Sequence, residues 1–588
     1  MLFRAPAVWI CGEEPLVGGI RAGLQRAGRR VRVLDSDRLG RLRPGFGQTL
    51  ILVESPTALP LILGLKGRLN QRRWGREPLR VILVHRADPP PPLPPALVDL
   101  DPEGPLRLET FAVEDRAARA LLARWPLHFG MDPRFGQAPH LLILGTAPPA
   151  RAFLLQALRL MPYGEERPRV TLVCADADAA AAGFAQTHPQ AGQIAALRWT
   201  PLDPLRPWDP EPGPAVTQVL VCLDPPDAGL DQARRLAAQL ARVQGISPPI
   251  LLEVGDADPV GGIEDWDGQI FPFSYLREAC RPQVLLDGAG DRLAQTIHEH
   301  YTDSIAAQGR DPAAEAAGQP WPRLAATYRD ANRRQADHLG AKLAVTDCRA
   351  VPEERVESFA FAPLEVERLA VIEHLRWAAD RYLDGWSYAP KRDNARKHHP
   401  QLVPYPDLTE PMKDLDRYAV RGVPALLARS GLGVVRVLIL GVPEPVPQPD
   451  CSAGGALRRL ADQALARLVA RFPDRALVLA STLADPRARL VVRRALDQAG
   501  AALYLLLPRP IGKLLAEQPD DPARRDLLEL TARAERRIAL PSEGELGRWL
   551  AERAEIILAL GAEPTEARPG KRVLLDPGRR RPEWSFEY

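Results

Sequence analysis

The sequence predicts a multidomain α/β protein in which parallel sheets covered by helices are interrupted once by a mainly helical module. Three observations carry this reading. Short runs rich in Val, Ile and Leu recur in residues 1–130, 138–285 and 433–588, most followed by a turn and a helical pattern. Such runs read as strands buried on both faces. Between them, 290–430 has no comparable strand pattern and instead collects histidine, tyrosine and lysine. The length of 588 residues allows roughly three to five domains.

Residues 1–130 open with a strand over 7–10, a helix over 16–27 and a second strand over 31–34 that runs into Asp35. This is the outline of a βαβ nucleotide fold, in which an acid after the second strand meets a ribose hydroxyl. Runs over 49–53 and 80–84 read as further buried strands, and the proline-rich 88–95 as a stiff surface connector. Gly12 fits the first glycine of the GxGxxG phosphate turn, but Glu14 and Val17 stand at the other two. A carboxylate where backbone should approach a pyrophosphate adds repulsion to bulk.

Residues 138–285 repeat the scheme, with strands over 140–145, 169–173, 218–222 and 249–253 and helices over 152–160 and 231–243. Gly145 fits the turn, while Ala147 and Ala150 take the other glycine positions around Pro148-Pro149. Cys174 stands where the ribose carboxylate belongs, and Asp176 follows two residues on. Both units are Rossmann-like and resemble TrkA-N-type domains, the NAD-binding modules of potassium-uptake regulators. The resemblance implies NAD or another nucleotide as cofactor, with Gly12, Asp35, Gly145 and Asp176 the candidate contacts.

The central stretch 369–417 is compositionally distinct. The chain has seven lysines against seventy arginines, yet Lys391, Lys397 and Lys413 fall within 23 positions. Residues 290–427 hold six of ten histidines and six of ten tyrosines. Basic residues interleaved with rings suit anionic, ring-bearing ligands; the alternative is a small helical domain with core aromatics and solvated charges. A helix over 366–383 ends before Gly385 and puts His374, Trp377 and Arg381 on one face, which presents either a cation and a ring to a ligand or, the favoured reading, Trp377 as core and His374 as a hydrogen-bonded partner. His298, His300, His398 and His399 lack a carboxylate or cysteine at ligand spacing, so no metal is expected.

The local order here resembles the RyR repeat domain, named after ryanodine receptors and found also in bacterial proteins, where TrkA-N-type domains can precede it. Gly385-Trp386-Ser387-Tyr388, Lys391-Arg392-Asp393, Lys397, Pro404-Tyr405, Leu408, Glu410, Lys413 and Arg417 carry the likeness, joined upstream by His298-Glu299-His300-Tyr301, Trp321 and Asn332-Arg333. It implies a ligand on 385–413, with Lys391, Lys397 and Lys413 facing anionic groups. Trp386, Tyr388 or Tyr405 would offer a ring, and Asp393 an acceptor. In the alternative, Trp386 and Tyr405 are core and Asp393 pairs with a neighbouring lysine to hold a hairpin-like loop.

Residues 433–588 read as strands over 434–441, 475–480, 501–507 and 556–560, the last being the final buried one, with helices over 453–471 and 490–499. The order resembles SLOG domains, relatives of the LOG and DprA nucleotide-binding proteins. Pro486 and Ala488 replace that family's loop glycine and aspartate, and Gly561 lacks the glycine-rich turn.

Net charge is +3, so no whole-molecule field draws the chain onto nucleic acid or membrane. No run approaches the ~20 apolar residues of a membrane span. Six scattered cysteines without a CxxC pair suit reduced thiols, hence a cytoplasmic protein. P-loop, GxSxG and HExxH signatures are missing, so no catalytic residue is assigned. The expectation is a cytoplasmic, non-enzymatic sensor of a nucleotide-like small molecule, in which the Rossmann-like units serve as scaffold or second ligand site. An effector protein or a membrane transporter is a candidate partner, and a homo-oligomer stays open. Three alternatives stand beside it: an NAD-binding regulator of cation transport, a nucleotide-acting defence enzyme, and an interaction scaffold.

Overall fold

The computed structural model describes residues 8–585 except 42–47, 71–77, 87–91, 99, 102–103, 136, 204–213, 224, 245–247, 256–268, 287–288, 308, 322, 353, 355, 357, 445–453, 541, 543 and 562–570. The first half of the expected connector 88–95, residues 88–91, and residues 562–570 after Gly561 lie outside the described residues.

The architecture is α/β, with three main sheets. The first contains β1 (Val8–Cys11), β2 (Val31–Val33), β3 (Thr49–Val53), β4 (Leu79–His85) and β5 (Leu106–Ala112), all parallel, in the order β2-β1-β3-β4-β5. Strand order reverses between β1 and β3, at the end of β1 where Gly12 lies. The second sheet contains β6 (His140–Leu144), β7 (Arg169–Cys174), β8 (Ala196–Pro201), β9 (Gln218–Val221), β10 (Ile250–Glu253) and β11 (Ile270–Phe273). Its order β11-β10-β9-β6-β7-β8 is that of dinucleotide-binding sheets, reversing between β6 and β9.

The central strands are those whose apolar runs mark them in the sequence, because both of their faces are covered. Edge strands β5 and β8 alternate or mix exposed and covered residues, which is why no apolar run announces them. The helix expected from 152 begins at Pro148, since a proline without an N–H fits the first helical turn.

The third sheet is mixed. Its strands are β12 (Cys348–Pro352), β15 (Leu432–Val442), β16 (Arg475–Ser481), β17 (Ala502–Leu507), β18 (Arg536–Ala539), β19 (Ile556–Leu560), β20 (Lys571–Leu575) and β21 (Glu583–Trp584). The intervening β13 (Ser387–Tyr388) and β14 (His398–His399) form a separate pair. β12 joins antiparallel to the start of β15, so chain from before the central helix is built into this sheet. The expectation that 556–560 is the final buried strand is corrected: β20 pairs parallel with β19 and buries Val573 and Leu575. Alternation with Lys571 and Arg572 hides it from a search for continuous apolar runs.

One apolar core runs from Ile10 and Ile51 through Phe153 and Leu158 to Leu369 and Ile372. The helical stretch is therefore packed onto the first two sheets. A second core fills one face of the third sheet around Leu479, Val491 and Leu505. Among the described residues no helix is long and apolar enough to cross a membrane.

A cation–aromatic candidate binding site

The candidate site is built at the C-terminal end of the helix Pro363–Leu383. Pro363 occupies its first turn, and the Glu365 carboxylate accepts from the Ala362 N–H at 2.8 Å. The helix stops in a Schellman motif: Gly385 at φ +82° donates to the Tyr382 carbonyl (3.0 Å) and Trp386 N–H to the Arg381 carbonyl (2.9 Å). This motif brings the residue after the glycine against the last turn. Arg381 consequently lies 5.2 Å from the Trp386 ring centroid, and it is 5.8 Å from Trp377 one turn back.

His399 on β14 closes the group, edge-on to Trp377 at 4.9 Å and to Trp386 at 6.0 Å. Its Nδ1 accepts from the Gln401 N–H at 3.2 Å, which assigns the ring hydrogen to Nε2. Burial, with Arg392 and Arg381 adding positive charge, pushes the His399 pKa down to about 4, so the ring is a neutral donor at neutral pH. Arg381 is half-buried, and burial lowers its pKa. Asp384 and Asp380 act on it electrostatically, yet among the described residues its guanidinium makes no hydrogen bond or ion pair. The row of rings continues through His374, stacked 5.7 Å from Trp377, to Tyr405 at 5.9 Å from His374.

The seven residues named for this site from the sequence fall into different surroundings. Trp386 belongs to the cluster, while Tyr388 is 56% exposed and Lys391 is exposed. Lys397, at φ +55°, donates its ammonium to the Asp384 carbonyl at 2.7 Å and so tethers the loop to the helix end. The Asp393 carboxylate accepts from the N–H groups of Ala395 (2.9 Å) and Arg396 (3.1 Å), an Asx-type turn. β13 and β14 pair in parallel, while Asp393 and His398 exchange backbone hydrogen bonds (3.0 and 2.8 Å) in an antiparallel bridge that closes 393–398 as a hairpin-like loop. Tyr405 is buried, with its hydroxyl donating to Glu367 at 3.1 Å and the Lys413 ammonium over its ring at 5.5 Å. Lys413 also pairs with Glu410 at 3.3 Å. Arg381 and Trp377 are the cation and ring that the sequence places on one helix face, where the core reading is favoured; His399 has no such signal, and Gly385, whose helix stop pairs Arg381 with Trp386, is the signal for the rest.

The four nucleotide-turn residues lie at the ends of strands in both sheets. Gly12, at φ +148°, faces Val53 so closely that an added Cβ would sit 2.4 Å from the Val53 Cβ. The Glu14 carboxylate accepts from the Gly18 N–H at 2.8 Å, placing the chain's own anion on the first turn of the helix Leu16–Arg26. At Gly145 an added Cβ would meet the Cys222 carbonyl oxygen at 2.1 Å. The following helix starts with two prolines, and its Ala150 backbone is bonded to the Cys222 thiol. Asp35 and Asp176 each accept from the start of the next helix, from Arg38 N–H at 2.6 Å and Ala179 N–H at 3.0 Å.

The RyR domain family model matches residues 364–436. The match begins at the helix carrying Arg381 and ends within β15, so it covers the latter part of the stretch whose residue order shows the likeness. No curated protein matches the chain.

Proposed function

We propose that this protein is a non-catalytic sensor whose RyR stretch binds a small anionic, ring-bearing ligand of nucleotide type at the end of the helix Pro363–Leu383. One observation carries the proposal: the Arg381 guanidinium lies within 5.8 Å of two indole rings with no acceptor among the described residues. Guanidinium N–H groups recognise phosphate in pairs, and indole faces stack on bases. The neutral His399 supplies one more N–H donor beside them, with Lys391 and Arg392 exposed nearby.

In this reading the chain comprises four units, 1–130, 138–285, 290–430 and 433–588. The first two are TrkA-N-like scaffold or a second ligand site, and the last is SLOG-like. The setting is cytoplasmic signalling or defence, passed to an effector protein. The shared core between the central helix and the first two sheets supports a route by which ligand state reaches the rest of the molecule.

Native mass spectrometry of freshly purified protein, followed by tryptophan-fluorescence titration with NAD, ADP-ribose and nucleoside monophosphates, tests the proposal. We expect a retained or saturably bound anion and at least tenfold weaker binding in Arg381→Gln, the loss of a charge-assisted contact. Binding that Arg381→Gln leaves unchanged would overturn it.

A further inference from the structure

The same helix meets a second feature at its other end. A cavity of about 530 Å³ opens between its first turn, β15 and the end of the helix Gly544–Arg553. Five arginines line it: Arg134, Arg368, Arg436, Arg475 and Arg553. They face four carboxylates, of which Glu552 and Glu555 are exposed at the rim while Asp347 and Glu365 lie deeper. Val345, Val437 and Ile439 add an apolar wall.

The arginines are held by fixed partners, several of which line the cavity themselves. Arg436 is forked onto Glu365, with one arm at 2.6 Å. Arg134 bonds Asp347 at 2.6 Å, and Arg553 bonds Asp132 at 2.5 Å. Arg475 reaches the Val437 carbonyl and Glu555, each at 2.5 Å, while its Nε is buried with no partner among the described residues. Among the described residues Arg368 is held by carbonyl oxygens alone, those of Arg134 (2.6 Å), Pro133 (3.2 Å) and Val345 (3.4 Å). Among the described residues no carboxylate bonds it. Guanidinium groups fixed in this way lose little freedom when they meet a planar or tetrahedral anion, and the partly dry setting strengthens the contact.

We infer that this cavity is a binding site for a small anion with two or more negative charges, of phosphate or carboxylate type, held by Arg368 and Arg475. It is separate from the cluster at Arg381, which lies thirteen residues on along the helix, at ~1.5 Å per residue some 20 Å away. An anion here joins the helix start to the third sheet, because Arg368 comes from one and Arg475 from the other.

Calorimetric titration and thermal melts of the full chain with pyrophosphate and with citrate, at constant ionic strength set by chloride, test the inference. We expect saturable binding of at least one anion, with a rise in melting temperature. Preference for pyrophosphate assigns a phosphate ligand, and preference for citrate a carboxylate. Arg368→Gln and Arg475→Gln should each weaken binding tenfold or more. Arg381→Gln should leave it unchanged. Glu552→Gln removes an exposed rim charge that makes no ion pair among the described residues, so it should fold and bind about twofold tighter. Absence of saturable binding, binding kept by both arginine variants, or loss in Arg381→Gln overturns the inference. Should the arginine variants fail to fold, unchanged affinity in Glu552→Gln overturns it instead.

Discussion

Lys342 and Glu373 form an ion pair with N···O 2.6 Å in which both side chains are nearly inaccessible to solvent, 2% and 6% exposed. Arg376 forks onto the same carboxylate at 2.7 and 3.0 Å and continues to Asp380 at 2.8 Å. Removing one partner of a buried pair leaves an uncompensated charge, at a cost of about 3–5 kcal/mol. Lys342→Met should therefore lower the unfolding free energy by about that amount in urea titration. A loss below ~1 kcal/mol would show that Arg376 alone satisfies Glu373.

Acid stability follows from the same charges. Glu373 is held well below the usual carboxylate range by Arg376 and Lys342, and Asp291 by Arg333, Arg116 and Arg119. Burial opposes both shifts and is outweighed. A depressed native pKa contributes stability that is present above the unfolded value, near ~4, and is lost as pH falls toward the native one. Asp380, pushed up chiefly by burial, works in the opposite direction. Melting temperature should vary little between pH 5 and 7 from these groups and fall steeply below about pH 4. Glu373→Gln should flatten that fall, and an unchanged slope would remove Glu373 from the account.

Glu14 on the Gly18 N–H predicts that the first sheet does not take a dinucleotide pyrophosphate. NADH fluorescence titration should show no saturable binding in the micromolar range. Gly12→Ala should destabilise by about 1–3 kcal/mol, because φ +148° and Val53 both exclude a Cβ. Micromolar NADH affinity with Glu14 in place would contradict the reading.

Lys397 and Arg381 should separate cleanly. Lys397→Ala loses a cation at a helix end and should cost about 0.5–1 kcal/mol of stability. Its effect on ligand affinity should stay within about twofold, against tenfold or more for Arg381→Gln. The reverse pattern would move the anion contact to the lysine.

Arg489 is almost fully buried and holds the loop after β16, donating to the carbonyls of Leu483 (2.9 Å) and Ala484 (3.1 Å) and to Asp526 (2.9 Å). Leu483 is at φ +62° and Asp485 caps the next helix, so this loop is committed to structure. Arg489→Lys should destabilise by about 1.5–3 kcal/mol, since an ammonium cannot reproduce the fork. The full chain should not hydrolyse nucleoside monophosphates; measurable turnover abolished by a substitution in this loop would refute that.

The sequence alone determined the central strands, because a strand covered on both faces must be apolar along its whole length, as Leu50–Leu52 and Leu141–Leu144 are. It also determined the helix stop at Gly385, since a left-handed residue there favours glycine, and through it the approach of Arg381 to Trp386. Edge strands β5 and β8, the entry of β12 into the third sheet, and β20 depended on neighbours supplied from far along the chain. The fates of the charged residues did too. Lys342, Lys397 and Lys413 are chemically alike in sequence, yet one is buried on Glu373, one ties a loop and one covers Tyr405. A charge's role is set by the oppositely polarised groups within a few ångströms, and tertiary packing alone brings those together.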